Sequence, residues 1–184
     1  VEGIVHRDVK PANIFLPGGD LLRAKLVDLG TARVALDEAS VTRTGLLIGT
    51  PMYMSPEQAR AESDVDAAAD VWALGCVLYE CLTGEAPFRG GQLVAILARV
   101  LFDAVVPLDV VRGDVPTGLA HLIQRMLHKD RQARPAIAEV SHALDAVPLV
   151  DLPRSSAPVA AAPRDEAALT GEERRVRCVL VARG

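Results

Sequence analysis

Aromatic side chains are scarce in this sequence of 184 residues: Phe, Trp and Tyr together make up 3%. That scarcity, with a formal net charge of −4, argues against a nucleic-acid surface, which needs stacking platforms and a basic face. Cysteine is also rare. Cys76, Cys81 and Cys178 show neither metal-site spacing nor the even number of a disulfide framework. Cys76 and Cys81 fall in an apolar stretch of helical character, where a free cysteine acts as a small buried hydrophobe, so a reducing, cytoplasmic setting is expected. Long hydrophobic runs are missing too. The apolar stretches Val71–Leu82 and Leu93–Leu101 are too short and interrupted to span a bilayer, and no basic, apolar, small-residue leader opens the chain. What is present is an ordinary globular balance, 50% hydrophobic and 24% charged, on a length that fits one domain with a core plus a tail. An acidic total does not exclude phosphate chemistry, because metal ions and local groups can carry the phosphate charge.

Along the chain, Ile14-Phe15-Leu16 reads as a short strand, Pro17-Gly18-Gly19-Asp20 as a turn, and Ala24 to Val27 as the returning strand. From Leu29 to Gln58 neither helical nor strand periodicity is evident. Glycines, prolines and hydroxyl residues predict a long functional loop there. Helices follow. Asp70 to Leu82 is almost wholly apolar and is closed by Gly84, which predicts a buried axial helix. Leu93, Ile96, Leu97, Val100 and Leu101 form one amphipathic stripe, and Leu119, Leu122, Ile123, Met126 and Leu127 another. A last helix is expected to start at Pro135 and to carry Ile137, Val140 and Leu144 inward. Pro148, Pro153, Pro158 and Pro163 then punctuate an Ala-rich linker over residues 148–171, and residues 172–184 read as the start of a further, truncated segment.

The chemistry concentrates in His6-Arg7-Asp8-Val9-Lys10-Pro11-Ala12-Asn13. Phosphoryl transfer to a hydroxyl needs a carboxylate for the hydroxyl proton, a cation for the γ-phosphate and oxygen ligands for Mg²⁺. Asp8, Lys10 and Asn13 offer these in turn. Asp28, 20 residues beyond Asp8 and just after an apolar strand, offers a second metal-binding oxygen group. These segments resemble the catalytic loop and metal-binding turn of protein kinases. Leu29 stands where the family usually has Phe, and it keeps the apolar character of that position.

The chain resembles the bacterial, Hanks-type serine/threonine kinases, and the resemblance runs from Val1 to about Val147. It implies a kinase-like fold of which only the C-terminal lobe is present, mainly α with a short β-hairpin, with Val1 as a truncation point. It implies ATP with Mg²⁺ (or Mn²⁺), and protein substrates, the kinase itself among them. Thr50, in Gly49-Thr50-Pro51-Met52-Tyr53-Met54-Ser55-Pro56-Glu57, is then expected to meet Lys10 and Asp8, a pairing of serine/threonine kinases. Glu57 is expected to pair with Arg134 in a buried ion pair, and Asp70 to hold the catalytic-loop backbone from below, although by itself it reads as a helix N-cap. His6 is expected to pack near Leu29 as a structural residue, and Phe15 to form the floor under the adenine. His121, His128 and His142 read as helix-surface residues.

The resemblance extends to regulation. Arg7 precedes Asp8 where the family answers a phosphate on the activation loop, and Thr42 and Thr44 are the expected phosphosites. Nothing in the sequence matches the family's Gly-rich loop, strand lysine or helix glutamate. The isolated chain is therefore expected to be inactive, a fragment of a working kinase. The alternative is a kinase-derived binding module in which the catalytic residues are merely inherited.

Overall fold

The apolar run around Trp72 forms a helix, Ala67–Thr83, in the computed structural model, which describes residues 4–28 and 51–147. This helix, α2, is the axis of the molecule. From Ala69 to Thr83 no residue is exposed, and Trp72 and Cys76 are fully enclosed. Burial pushes the Cys76 thiol far up, so it stays protonated and acts as a packing group. Gly84 ends α2 in the left-handed conformation at φ 82°, its N–H donating to the Glu80 carbonyl. The N-cap is Asp66, whose carboxylate accepts from the Ala68 N–H at 2.8 Å. Asp70 is thus not the cap. It lies in the first turn, because the helix starts four residues earlier than the apolar run suggests.

Helix α1 (Pro56–Ala59) precedes α2. After α2 come α3 (Leu93–Phe102), α4 (Leu108–Val111), α5 (Thr117–Met126) and α6 (Ile137–Asp145). On α3, Ile96 and Val100 are buried, and on α5 Ala120, Leu122, Ile123 and Met126 are, so both stripes face the core. Val140 of α6 joins Val71, Leu122 and Met126 in a second cluster. The last helix differs from expectation at its start. Ala136 is its N-cap, Pro135 lies outside it, and Ile137 is 54% exposed. Helical side chains lean toward the N-terminus, so the first residue points beyond the end of the packed stripe.

The C-terminal end of α3 is tied down by Lys129, whose Nζ donates to the carbonyls of Arg99 (3.2 Å) and Val100 (2.6 Å). The same nitrogen lies 4.0 Å from the Phe88 ring centroid and 4.9 Å from that of Trp72, rings that stack at 5.4 Å. Burial draws the Lys129 ammonium down to about 8, which leaves it charged at neutral pH.

The hairpin is shorter than the sequence suggests. Strands β1 (Ile14–Phe15) and β2 (Lys25–Leu26) pair antiparallel, Ile14 opposite Leu26 and Phe15 opposite Lys25. The connection between them is not one turn but two 3-10 turns, Pro17–Gly19 and Leu21–Arg23. The loop expected to reach Gln58 stops earlier: a 3-10 turn at Pro51–Tyr53 leads into α1, whose short span is below what periodicity detects. Among the described residues the architecture is mostly helical with one two-stranded sheet. The linker and onward segment expected over residues 148–184 lie outside the described residues.

Helices α2 and α5 approach closely at Gly75, where an added Cβ would lie 3.0 Å from Met126 Cβ and 3.2 Å from Leu127 Cδ2. Gly75→Ala is expected to lower the unfolding free energy by about 1–3 kcal/mol, because overpacking outweighs the better helix propensity of alanine. Urea unfolding checks this, and an unchanged or raised midpoint would contradict the close approach.

Candidate active site

The segment from His6 to Asn13 lies against the first turn of α2. Asp70 accepts from the backbone N–H of His6 through Oδ2 and from that of Arg7 through Oδ1, both at 2.8 Å. Between these anchors and Asp8, Arg7 takes a left-handed backbone at φ 65°, which a non-glycine residue adopts only when held there. Asp8 then projects its carboxylate toward two donors. Lys10 Nζ and Asn13 Nδ2 each donate to Oδ2 at 2.8 Å, and Asn13 Nδ2 also donates to the Asp8 carbonyl at 2.8 Å. Among the described residues Oδ1 receives no hydrogen bond, so one oxygen is anchored while the side chain remains 38% exposed. Asn13 is buried, and the 3-10 turn Pro11–Asn13 delivers it into the hairpin.

The hairpin register brings Asp28 back beside this loop. Val27 N–H donates to the Asn13 carbonyl at 2.8 Å, and the next residue is Asp28, exposed and left-handed at φ 56°. His6 is buried: its Nε2 meets the Val27 carbonyl at 3.2 Å, while its Nδ1 accepts from the Asp8 N–H at 3.3 Å. Phe15 is half-buried on β1. The oxygen donors suit a hard divalent cation. With its amide nitrogen committed to Asp8, Asn13 has its carbonyl oxygen left for a metal, and Asp28 adds a carboxylate. Among the described residues no group of three or more His, Cys, Asp or Glu could hold a metal ion.

Glu57 and Arg134, 77 residues apart, meet in a buried bidentate pair, Nη1 to Oε1 at 2.7 Å and Nη2 to Oε2 at 2.9 Å. The remaining guanidinium hydrogens go to the carbonyls of His128, Ala68 and Lys129. Burial works to raise the Glu57 carboxyl, but the Arg134 hydrogen bonds and charge prevail, and its pKa ends below the ordinary glutamate value.

The structure therefore brings together His6, Arg7, Asp8, Lys10, Asn13, Phe15 and Asp28 on the hairpin side, with Asp70 beneath them, and pairs Glu57 with Arg134. Thr50, Leu29, Thr42 and Thr44 lie outside the described residues. His121, His128 and His142 are exposed, although His128 follows α5 instead of lying on a helix and accepts from the Asp130 N–H. Sequence reasoning missed the Tyr53 hydroxyl, which donates to Glu80 of α2, and the side chain of Gln58, which reaches the Arg7 carbonyl. A Ser-x-x-Gln capping-box pattern at Ser55 was the available signal for Gln58.

This loop, hairpin and ion pair are those of a protein kinase. The protein kinase domain matches residues 1–144, and the chain belongs to that family, in its bacterial Hanks-type branch. The chain is 46% identical over 133 residues to the serine/threonine-protein kinase PknB of Mycolicibacterium smegmatis, a match covering 72% of this chain and 21% of that protein. PknB of Mycobacterium leprae is 43% identical over 132 residues, with the same coverage. A probable PknB of Bifidobacterium longum is 41% identical over 138 residues, 74% of this chain and 19% of that one. The matched region thus spans about a fifth of the curated relatives' length.

Replacing Arg134 with Met is expected to cost about 3–5 kcal/mol, because it strands a buried carboxylate. The pH dependence follows from the sign of the Glu57 shift. A folded-state pKa below the unfolded one means that the unfolded chain binds more protons, so the stabilisation is present at neutral pH and lost as pH falls below about 4. Glu57→Gln is expected to flatten the fall of melting temperature over that range. A slope unchanged from wild type would contradict the pairing.

Proposed function

We propose that this chain is the C-terminal lobe, fold residues 1–147, of a protein serine/threonine kinase, a transferase that moves the γ-phosphate of ATP to Ser and Thr hydroxyls of proteins. The observation that carries the proposal is the Asp8 carboxylate, one oxygen held by both Lys10 and Asn13 on a side chain that remains partly exposed. That geometry leaves a fixed acceptor for a substrate hydroxyl proton while a cation stands beside it. Lys10 neutralises Asp8 in the resting arrangement and is placed to offset charge on a transferred phosphoryl group. Asn13 and Asp28 would hold Mg²⁺ or Mn²⁺, which supplies charge neutralisation along the phosphates when bound. Phe15 supports the adenine side.

The segment Gly49-Thr50-Pro51, whose family resemblance implies that Thr50 pairs with Lys10 and Asp8, favours a serine/threonine over a tyrosine acceptor. Phosphorylation of Thr42 or Thr44, by the kinase itself, would set an anion against Arg7. A kinase also needs a lysine–glutamate pair and a Gly-rich cover for the phosphates, for which the 184 residues offer no match. The lobe alone is therefore inactive in this proposal, and the working enzyme is the longer gene product, signalling in the cytoplasm through protein substrates.

In the complete gene product, Asp8→Asn is expected to reduce phosphoryl transfer to a generic protein substrate by a hundredfold or more, on the order of a lost general base. Radiolabelled phosphate incorporation measures it, and near-normal transfer would remove Asp8 from its role. Metal-dependent transfer by residues 1–184 alone would likewise overturn the single-lobe proposal.

A further inference from the structure

The Arg7–Asp8 peptide is the hinge on which the Asp8 carboxylate turns, and both of its polar groups are held by side chains. Its N–H donates to His6 Nδ1 at 3.3 Å. Its carbonyl accepts from Gln58 Nε2 at 2.8 Å, a contact between residues 51 apart in sequence. The Gln58 carboxamide is itself oriented without ambiguity. Its Oε1 accepts from the Ser55 backbone N–H at 3.0 Å and contacts the Ser55 hydroxyl at 3.1 Å, closing the capping box of α1. A flipped amide would set N–H against N–H at Ser55 and oxygen against oxygen at Arg7.

We infer that Gln58 is a positioning residue for phosphoryl transfer: its amide N–H locks the Arg7–Asp8 peptide and so fixes the direction in which Asp8 faces the substrate hydroxyl. This rests on the kinase function proposed for Asp8. Arg7 is left-handed, and Asp70 restrains only its N–H. Without a donor on its carbonyl, the peptide between Arg7 and Asp8 keeps only the 3.3 Å bond to His6 against rotating out of a backbone conformation that a non-glycine residue does not favour. Because Gln58 sits in α1, directly after the segment Pro51–Tyr53, the arrangement of that segment is transmitted to the catalytic carboxylate through one side chain.

Two substitutions separate this role from helix capping. In Gln58→Glu a carboxylate can still accept from Ser55, so the capping box survives while the donor to Arg7 is lost. In Gln58→Met both are lost. In the complete gene product both variants are expected to lower kcat about tenfold with KM for ATP within about twofold, the effect of one lost hydrogen bond to a positioned group. Only Gln58→Met is expected to lower the melting temperature through the cap. Amide hydrogen exchange at Asp8 gives a readout that needs no activity, and it should accelerate at least about tenfold in both variants as the peptide loosens. Wild-type kcat and wild-type Asp8 exchange in Gln58→Glu would overturn the inference and leave Gln58 as a cap alone. If the wild-type protein transfers no phosphate at all, the kinase proposal fails, while Asp8 exchange still decides whether Gln58 holds the peptide.

Discussion

The Arg134 guanidinium is the constraint from which the arrangement of the lobe follows. All of its N–H groups are used: two on Glu57, and one each on the carbonyls of His128, Ala68 and Lys129. Its side chain is fully enclosed and stands 5.0 Å from the Trp72 ring centroid. The Glu57–Arg134 pair as a whole contributes little net stability against a matched pair of hydrophobic residues, but it admits one geometry only. From that geometry two lines of contact run outward. Through the Lys129 carbonyl it fixes the residue whose ammonium covers the Trp72–Phe88 stack and closes α3. Through Glu57 it fixes α1, and with it the Gln58 side chain that reaches the catalytic loop.

The candidate active-site residues lie mostly on short, irregular backbone, which is tolerated because α2 beneath them is long and buried. Asp70 belongs to the first turn of α2, where its charge is favoured by the helix dipole, and it offers both carboxylate oxygens to consecutive backbone N–H groups. A loop held by one rigid helix can keep conformations that it would not keep alone. This separates the two tasks: the core resists deformation, while the loop and hairpin present Asp8, Asn13 and Asp28.

Much of this was legible in the sequence because the residues concerned are contiguous or sit in periodic runs. Asp8, Lys10 and Asn13 share one short segment, and α2, α3 and α5 carry strong apolar patterns. The distant pair Glu57–Arg134 was readable only through the family resemblance, since spacing says nothing about contacts over 77 residues. Helix ends were less legible. Asp70 reads as the cap because it opens the apolar run, whereas the first turn of α2 begins after Asp66. Ile137 has the right spacing for the core, yet it begins its helix and so points past the packed face. The Gln58 amide eluded the sequence for another reason. Its pattern announces a local cap, but its other nitrogen–carbonyl contact crosses between two segments whose approach is set by Arg134 and Asp70 together.

Two non-glycine residues with positive φ flank this chemistry, Arg7 beside Asp8 and Asp28 itself, each costing on the order of 1–2 kcal/mol. One side chain links them. His6 Nδ1 accepts from the Asp8 N–H, so its proton is on Nε2, which donates to the Val27 carbonyl just before Asp28. A backbone N–H can only donate and a carbonyl only accept, so a single tautomer serves both bonds. The imidazole therefore bridges the peptides that lead into the proposed catalytic and metal-binding residues. Its burial keeps water from competing for either bond.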